Sequence, residues 1–186
     1  VFRDGTVKVE AQDQETKQDA CVDTHGHVRK ADTALPVVYR NNEFISNICH
    51  VRFGDSYAKG SNHHFINCTF TRTGRRPDYH TFIFGGAYWS RHHEFVDCTF
   101  GPGASWDDVF WERTANTSWY KVRWTLTVQT TPGAKVTVVG RNGEEVFSGA
   151  AGEDGTASAV LTQCVVHPVE WKAGVKAGAG MSEVKQ

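Results

Sequence analysis

The sequence lacks a long apolar run. No stretch approaches the roughly 18 residues of a membrane-spanning helix, which argues against a membrane span. The sequence also has no large excess of either charge, because the formal net charge of the 186 residues is −1. Such a balance does not indicate binding to nucleic acid or to an acidic membrane surface.

Three further absences restrict the interpretation. None of the five cysteines lies in a CxxC motif, so the usual cysteine zinc motifs are excluded. No pair of residues has a decisive catalytic spacing, so the sequence alone does not separate an enzyme from a binding protein. The chain starts at Val1 without Met or a signal peptide, and we expect either a processed mature chain or a piece of a longer one.

What the sequence does contain is an internal repeat. The segment HHFINCTF at 63–70 returns as HEFVDCTF at 93–100, and a weaker copy is assigned to 42–49. Repeat periods of about 20–50 residues indicate solenoids, propellers or arrays. Short strand-like runs without helical periodicity favour a β architecture.

A second repeat alternates with the first. VRFG at 51–54 recurs as FIFG at 82–85 and VFWE at 109–112, with a polar member, DTHG, at 23–26. Apolar residues alternate with polar ones, so one face of each strand is expected to point inward. The predicted inward stacks are Phe53, Phe84 and Trp111; Val51, Phe82 and Val109; and Phe44, Phe65 and Phe95.

Over residues 20–115 this spacing resembles the right-handed parallel β-helix of pectate-lyase-like secreted proteins. The resemblance implies an all-β fold, with a short right-handed parallel β-helix of about four rungs in residues 1–118. It also implies a secreted, cell-surface or periplasmic location.

The pattern changes after Trp119. Alternating runs are separated by Pro132-Gly133 and by Asn142-Gly143, the latter a strong hairpin signal. The segment PGAKVTVVGRNGEEVFSG resembles the small Ig-like or carboxypeptidase-regulatory-like β-sandwich. We therefore expect a β-sandwich at 119–171 and a flexible Gly-, Ala- and Lys-rich tail at 172–186.

Cys68 and Cys98 occupy equivalent positions of the first repeat. Two interpretations are open. They are either core thiols, which pack as small apolar residues, or a disulfide between neighbouring rungs, whose Cα atoms would lie within bridging distance.

The candidate catalytic residues are Asp23, His25 and His27. Their period-two spacing places them on one face of a strand, where a carboxylate and two imidazoles could bind a divalent metal or move a proton. The alternative is a hydrogen-bonded polar group at the end of the solenoid, since the repeat alignment puts Asp23 and His25 in the columns of Val51 and Phe53.

The candidate substrate-binding residues lie in and after a basic loop. Arginines there could hold a carboxylate or sulfate through paired hydrogen bonds, and the aromatic residues could offer flat faces to a sugar. The alternative is a solvated loop with surface ion pairs. These residues are Arg72, Arg75, Arg76, Tyr79, Tyr88 and Trp89.

Weaker metal candidates are His63 with His93, and Asp107 with Asp108. The histidines stack in the repeat alignment, and the adjacent carboxylates could hold Ca²⁺ through oxygen. Structural corners and turns are the alternative interpretations. The cofactor is unknown, and a divalent cation such as Ca²⁺ is the candidate.

The leading functional prediction is recognition or processing of an extracellular polysaccharide, anionic for preference, on the exposed face of the β-helix. An enzyme of this kind would be a polysaccharide lyase or a glycoside hydrolase. The rival prediction is a structural or assembly protein that stacks through open solenoid ends. A polar first rung, with only Thr6–Val9 to cover it, predicts self-association or a longer parent chain.

Overall fold

The computed structural model describes residues 1–10, 20–24, 35–54, 60–74, 80–85, 90–111, 118–168 and 179–183. These residues form nineteen strands and no helix. The strands are β1 (Phe2–Arg3), β2 (Thr6–Val9), β3 (Ala20–Asp23), β4 (Val37–Arg40), β5 (Glu43–Ser46), β6 (Cys49–Phe53), β7 (Gly60–Ser61), β8 (His63–Ile66), β9 (Thr69–Arg72), β10 (Phe82–Phe84), β11 (Ser90–Arg91), β12 (His93–Val96), β13 (Thr99–Phe100), β14 (Val109–Trp111), β15 (Tyr120–Gln129), β16 (Lys135–Val139), β17 (Glu145–Ala150), β18 (Thr156–Pro168) and β19 (Ala179–Glu183).

The described strands form five sheets. The largest has the order β1-β4-β8-β12-β15-β18-β19, and two four-stranded sheets have the orders β14-β10-β6-β3 and β13-β9-β5-β2. Both four-stranded sheets are parallel, as is the small β11-β7 sheet. The β16-β17 pair is antiparallel. We call each set of strands from the three large sheets, such as β8 to β10, a layer.

Inward side chains of successive layers stack in columns. Phe53 pairs with Phe84 and Phe84 with Trp111, and the ring centroids lie 4.7 and 4.3 Å apart. Phe65 lies over Phe95 with centroids 5.0 Å apart. All five side chains are at most 2 % exposed, so the predicted burial of these aromatic residues is confirmed.

Corners between strands use left-handed backbone. The φ angle is 58° at Asp4, 55° at Asn41, 52° at Asn67 and 53° at Asp97, a region where Asn and Asp are tolerated better than most residues. The amide of Asn67 donates to Oδ1 of Asn41, and that of Asn41 to Oδ1 of Asp4, each at 2.9 Å. The polar corner column therefore links neighbouring layers.

The all-β class is confirmed, but the predicted architecture of a short right-handed parallel β-helix of about four rungs plus a small C-terminal β-sandwich is wrong. The largest sheet is mixed: β15 pairs in parallel with β12 and antiparallel with β18, and β19 adds a further antiparallel strand. The reason lies in β15, where Tyr120 and Val122 are at most 1 % exposed and extend the column above His93 and Phe95. The strand completes the layered core instead of starting a separate unit.

The assignment of the first repeat copy is also wrong. Val37–Arg40 pairs with His63–Ile66, which makes Tyr39, and not Phe44, the ladder partner of Phe65. Phe44 pairs with Phe70 in another sheet. Asp23 likewise lies opposite Arg52, one residue from the predicted alignment with Val51.

Strand β15 lies directly after the boundary predicted at 118/119, and strand β19 lies within the segment expected to be a flexible tail. The division of the chain into domains stays a prediction. Among the described residues there is no helix long and apolar enough to cross a membrane.

Candidate functional site

The strongest cluster of ionisable side chains lies where strands of neighbouring layers begin and end. Arg72 ends β9, His80 and Thr81 precede β10, and Asp108 precedes β14. Because Phe82 pairs with Val109, the residues just before these two strands lie side by side. The parallel register therefore brings Thr81 and Asp108 together.

Asp108 is the centre of this cluster. Its Oδ2 accepts hydrogen bonds from the Thr81 amide at 2.8 Å and from the Thr81 hydroxyl at 2.9 Å. Its Oδ1 lies 2.7 Å from Nδ1 of His80. Burial alone would raise the pKa of Asp108, but the hydrogen bonds from His80 and Thr81 outweigh it and lower the pKa below its ordinary value. Asp108 is therefore a carboxylate at neutral pH.

A carboxylate can only accept hydrogen bonds, so the contact fixes the proton of His80 on Nδ1. Nε2 is then the proton-accepting atom of the neutral ring. The His80 side chain is 35 % exposed, and its ring stacks on Phe110 with centroids 5.5 Å apart and planes at 16°. A proton acceptor and a flat apolar ring thus share one part of the surface.

Arg72 supports the cluster from inside the protein. Its Nη2 lies 3.5 Å from Oδ2 of Asp108, and its side chain is only 2 % exposed. Gly103, at φ 75°, allows close packing, because a Cβ there would lie 3.2 Å from Cβ of Arg72. The guanidinium of Arg72 is therefore directed toward Asp108 in the interior, and its predicted role in substrate binding stays a prediction.

The predicted histidine pair, His63 and His93, lies in contact, and the ring nitrogens of His93 bind protein groups. The His63 and His93 rings lie 5.6 Å apart. Nδ1 of His93 accepts a bond from the His63 amide at 3.3 Å, and Nε2 lies 2.8 Å from Oγ of Ser90. His93 is fully buried, which lowers its pKa well below its ordinary value. Both nitrogens of this neutral ring already have protein partners.

The other predicted residues divide into two groups. Asp23 is exposed at the end of β3, and Asp107 accepts a hydrogen bond from the Ser105 hydroxyl. Within the described part of the chain, no group of three or more His, Cys, Asp or Glu side chains could hold a metal ion. The remaining predicted residues lie outside the described part: His25, His27, Arg75, Arg76, Tyr79, Tyr88 and Trp89.

Comparison of the chain with protein-family models, with curated proteins and with solved structures finds no significant match. The resemblances inferred from the sequence stay predictions. The chemistry of the residues themselves is therefore the basis for a functional proposal.

Sequence reasoning named Arg72 and Asp108 separately and missed His80, Thr81 and Phe110. A usable signal was present. The alignment of FIFG at 82–85 with VFWE at 109–112 puts the residue before one strand beside the residue before the other. It thereby predicts the contact of Thr81 with Asp108.

A second surface lies at one end of the layers, which we call the open end. Strands β1, β2 and β3 are edge strands of the three large sheets. Phe2 is 62 % exposed and Val7 37 %. A groove of about 460 Å³ lies here and is lined in part by Phe2, Val7, Tyr39 and Phe44. Among the residues that the structure describes, apolar side chains and the edge strands of the three large sheets therefore meet at this end.

Proposed function

We propose that the chain recognises and processes an extracellular acidic polysaccharide at the surface formed by His80, Asp108 and Phe110. The observation that carries the proposal is the 2.7 Å contact between Nδ1 of the half-exposed His80 and Asp108. An imidazole held in one tautomer by a carboxylate is a common arrangement for a general base.

The neighbouring ring suits a carbohydrate. Phe110 is 37 % exposed and stacks on His80. Its accessible part offers a flat apolar surface against which the C–H face of a sugar ring can pack. Such contact would hold the sugar beside Nε2 of His80, where proton transfer takes place.

Among the described residues this cluster holds one imidazole and one carboxyl group, which favours elimination over hydrolysis. Glycoside hydrolases usually need two carboxyl groups that flank the bond, about 5–9.5 Å apart, and Asp108 is occupied by Thr81 and His80. In elimination, Nε2 of His80 takes the proton next to the sugar carboxylate. The C–H electrons form a C=C bond, the glycosidic C–O bond breaks, and the leaving oxygen takes a proton from water.

An acidic substrate follows from this chemistry, because the carboxylate acidifies the adjacent proton. Arg75 and Arg76 precede His80 by five and four residues in the sequence, and cationic side chains of this kind neutralise carboxylates. They are the residues we expect to select acidic over neutral polymers.

The test is incubation with polygalacturonate, alginate and hyaluronan, with dextran as the neutral polymer. We expect ultraviolet-absorbing unsaturated products from an acidic polymer only. His80→Gln should abolish product formation while binding is retained. His167→Gln is the matched control, at a histidine outside this cluster whose Nδ1 lies 3.1 Å from the Pro168 carbonyl oxygen, and should leave activity unchanged.

Product formation by His80→Gln at the wild-type rate would contradict the assignment of the base. Binding without product by the wild-type protein would restrict the function to recognition. An absence of binding to every polymer would reject the proposal.

A second candidate function is assembly through the open end, favoured by the exposed Phe2 and Val7 on edge strands. The occupant we propose is a second copy of this chain. The edge carries both signs of charge, with Lys8 2.9 Å from Glu10. A two-fold contact sets the same surface against itself, so mixed charge makes that surface compatible with its own copy.

Light scattering over a range of concentrations tests this candidate. We expect dimers that are lost in Lys8→Pro, because the register of β2 on β5 directs the Lys8 amide to the outer edge and proline removes that donor. Val7→Lys should have the same effect, while Val139→Lys, at a more exposed valine far along the chain, should not. A monomer at every concentration would reject assembly.

A further inference from the structure

Cys68 and Cys98 occupy the same corner of neighbouring layers. The residues on both sides of them are in register, since Ile66 pairs with Val96 and Thr69 with Thr99. The Thr99 amide also donates to the Cys68 carbonyl at 2.9 Å. Neighbouring strands lie about 4.8 Å apart, which is within the range of about 4.4–6.8 Å between Cα atoms joined by a disulfide.

Both side chains point into the same interior. Cys68 is 1 % exposed and Cys98 2 %. Sγ of Cys68 lies 3.5 Å from the carbonyl oxygen of Tyr39, and Sγ of Cys98 lies 3.3 Å from that of Phe65, which pairs with Tyr39. The sulfur atoms are therefore neighbours on one face, and both cysteines are free thiols.

The two thiols differ in acidity. The hydrogen bond from Cys98 outweighs burial at Cys68 and lowers its pKa to about 7. Burial raises the pKa of Cys98 well above its ordinary value. A thiolate beside a protonated thiol is the pairing that reacts with disulfides, because the thiolate is the nucleophile.

We propose that Cys68 and Cys98 are a redox pair that closes to a disulfide between two layers, with a low-molecular-weight disulfide as the oxidant. The Cys68 thiolate attacks one sulfur of the oxidant, whose S–S bond breaks, and the first small thiolate leaves. Cys98 loses its proton to solvent and attacks Cys68, and the second small thiolate leaves. The protein is oxidised by two electrons, and one small disulfide is reduced to two thiols.

The acidity of the Cys68 thiol distinguishes this pair from Cys21 and Cys49. Burial raises the pKa of Cys21 to about 11 and raises that of Cys49 further. Cys49 also donates to the Val51 carbonyl at 3.1 Å. These two thiols therefore stay protonated at neutral pH and react slowly. The inference stands apart from the proposed polysaccharide chemistry, since neither cysteine belongs to the His80 cluster.

The test treats the folded protein with glutathione mixtures from fully reduced to fully oxidised, followed by acid trapping, alkylation and peptide mass spectrometry. We expect five alkylatable thiols in reduced protein and three after oxidation, with the peptides of Cys68 and Cys98 linked. The rate should rise with pH through about 7, where Cys68 becomes a thiolate. The linked protein should unfold at a higher urea concentration than the reduced one.

Three comparisons make the result decisive. Cys164→Ser removes another buried cysteine and should leave the link intact, whereas Cys68→Ser and Cys98→Ser should each abolish it. Wild-type protein oxidised in urea should give mixed pairings, so a single pairing in the folded protein reports the structure. The proposal would be overturned if Cys68 and Cys98 stayed reduced in every mixture, or if Cys21 and Cys49 became linked instead. Both outcomes are read from the wild-type protein, so they hold even if the variants fail to fold.

Discussion

At the scale of single residues, His50 is the clearest determinant of acid sensitivity. It is fully buried, and its Nε2 lies 2.9 Å from the Thr71 carbonyl. Burial lowers its pKa from 6.5 to about 4. Between pH 6.5 and 4, His50 therefore binds a proton in the unfolded chain but not in the folded protein. The free energy of unfolding should fall as the pH drops through this range.

The first prediction follows from that sign. His50→Gln should reduce the loss of stability between pH 6.5 and 4 by up to about 3 kcal/mol, at roughly 1.4 kcal/mol per pKa unit. Urea unfolding at several pH values measures this slope. The wild-type protein measured beside the variant gives the reference slope; an unchanged slope in His50→Gln would show that the pKa of His50 is not lowered in the folded protein.

The second prediction concerns the corner residue Asn67, at φ 52°. Asn67→Ala should destabilise the protein by about 1–2 kcal/mol more than Asn67→Gly does, because a Cβ penalises left-handed backbone. Both variants lose the amide contact with Asn41, so the difference between them isolates the backbone term. Equal unfolding free energies for the two variants would assign the whole effect to the hydrogen bond.

At the scale of the elements, the inward columns dominate. Phe84 on β10 is fully buried between Phe53 and Trp111. Phe84→Ala should destabilise the protein by about 3–5 kcal/mol, as large-to-small aromatic changes in a core do. Phe2→Ala, at a 62 % exposed ring, should stay near 0.5 kcal/mol. A loss below about 1 kcal/mol at Phe84 would place that side chain on the outer face.

The columns were predictable where spacing was regular. Val51, Phe82 and Val109 pair as the repeat alignment indicates, because alternation along a strand fixes which side chains point inward. The first copy was not predictable in the same way. The connection before Tyr39 is longer than the later ones, and an Asn-rich corner resembles the start of a repeat, so alignment on Phe44 displaced the register.

At the candidate site, the sequence indicated individual residues but not the contact between them. Arg72 and Asp108 each carry a sequence signal, but their contact depends on which strands of neighbouring layers pair. A basic side chain in a polar loop reads as a surface residue, whereas the guanidinium of Arg72 turns inward to a carboxylate. Side-chain direction at the end of a strand is a tertiary property that no local pattern specifies.

At the scale of the whole molecule, β15 joins the parallel and antiparallel parts of the largest sheet. It pairs with β12 on one side and β18 on the other. Loss of either part therefore removes hydrogen bonds from the same strand. We predict a single urea transition for both parts, seen at the same midpoint by tryptophan fluorescence and by hydrogen exchange of β6 and β18.

Deletion of residues 119–186 tests the same point, because it uncovers Phe95 and should lower the midpoint sharply. Two separate transitions in the wild-type protein, or a deletion variant as stable as the parent, would show that the two parts are energetically independent. The β16-β17 pair, with one partner on each strand, should be the first to exchange its amide protons.

The stacking of layers also affects the rate and order of folding. Phe65 pairs with Phe95, thirty residues further along the chain. Each such pairing closes a long loop of unfolded chain, and the entropy cost of closure comes before any stabilising contact forms. Topologies rich in distant pairings fold in about milliseconds to seconds, not in microseconds. Once one layer exists, its edge offers the next segment a ready template, so we expect assembly to proceed outward from a nucleus of two neighbouring layers.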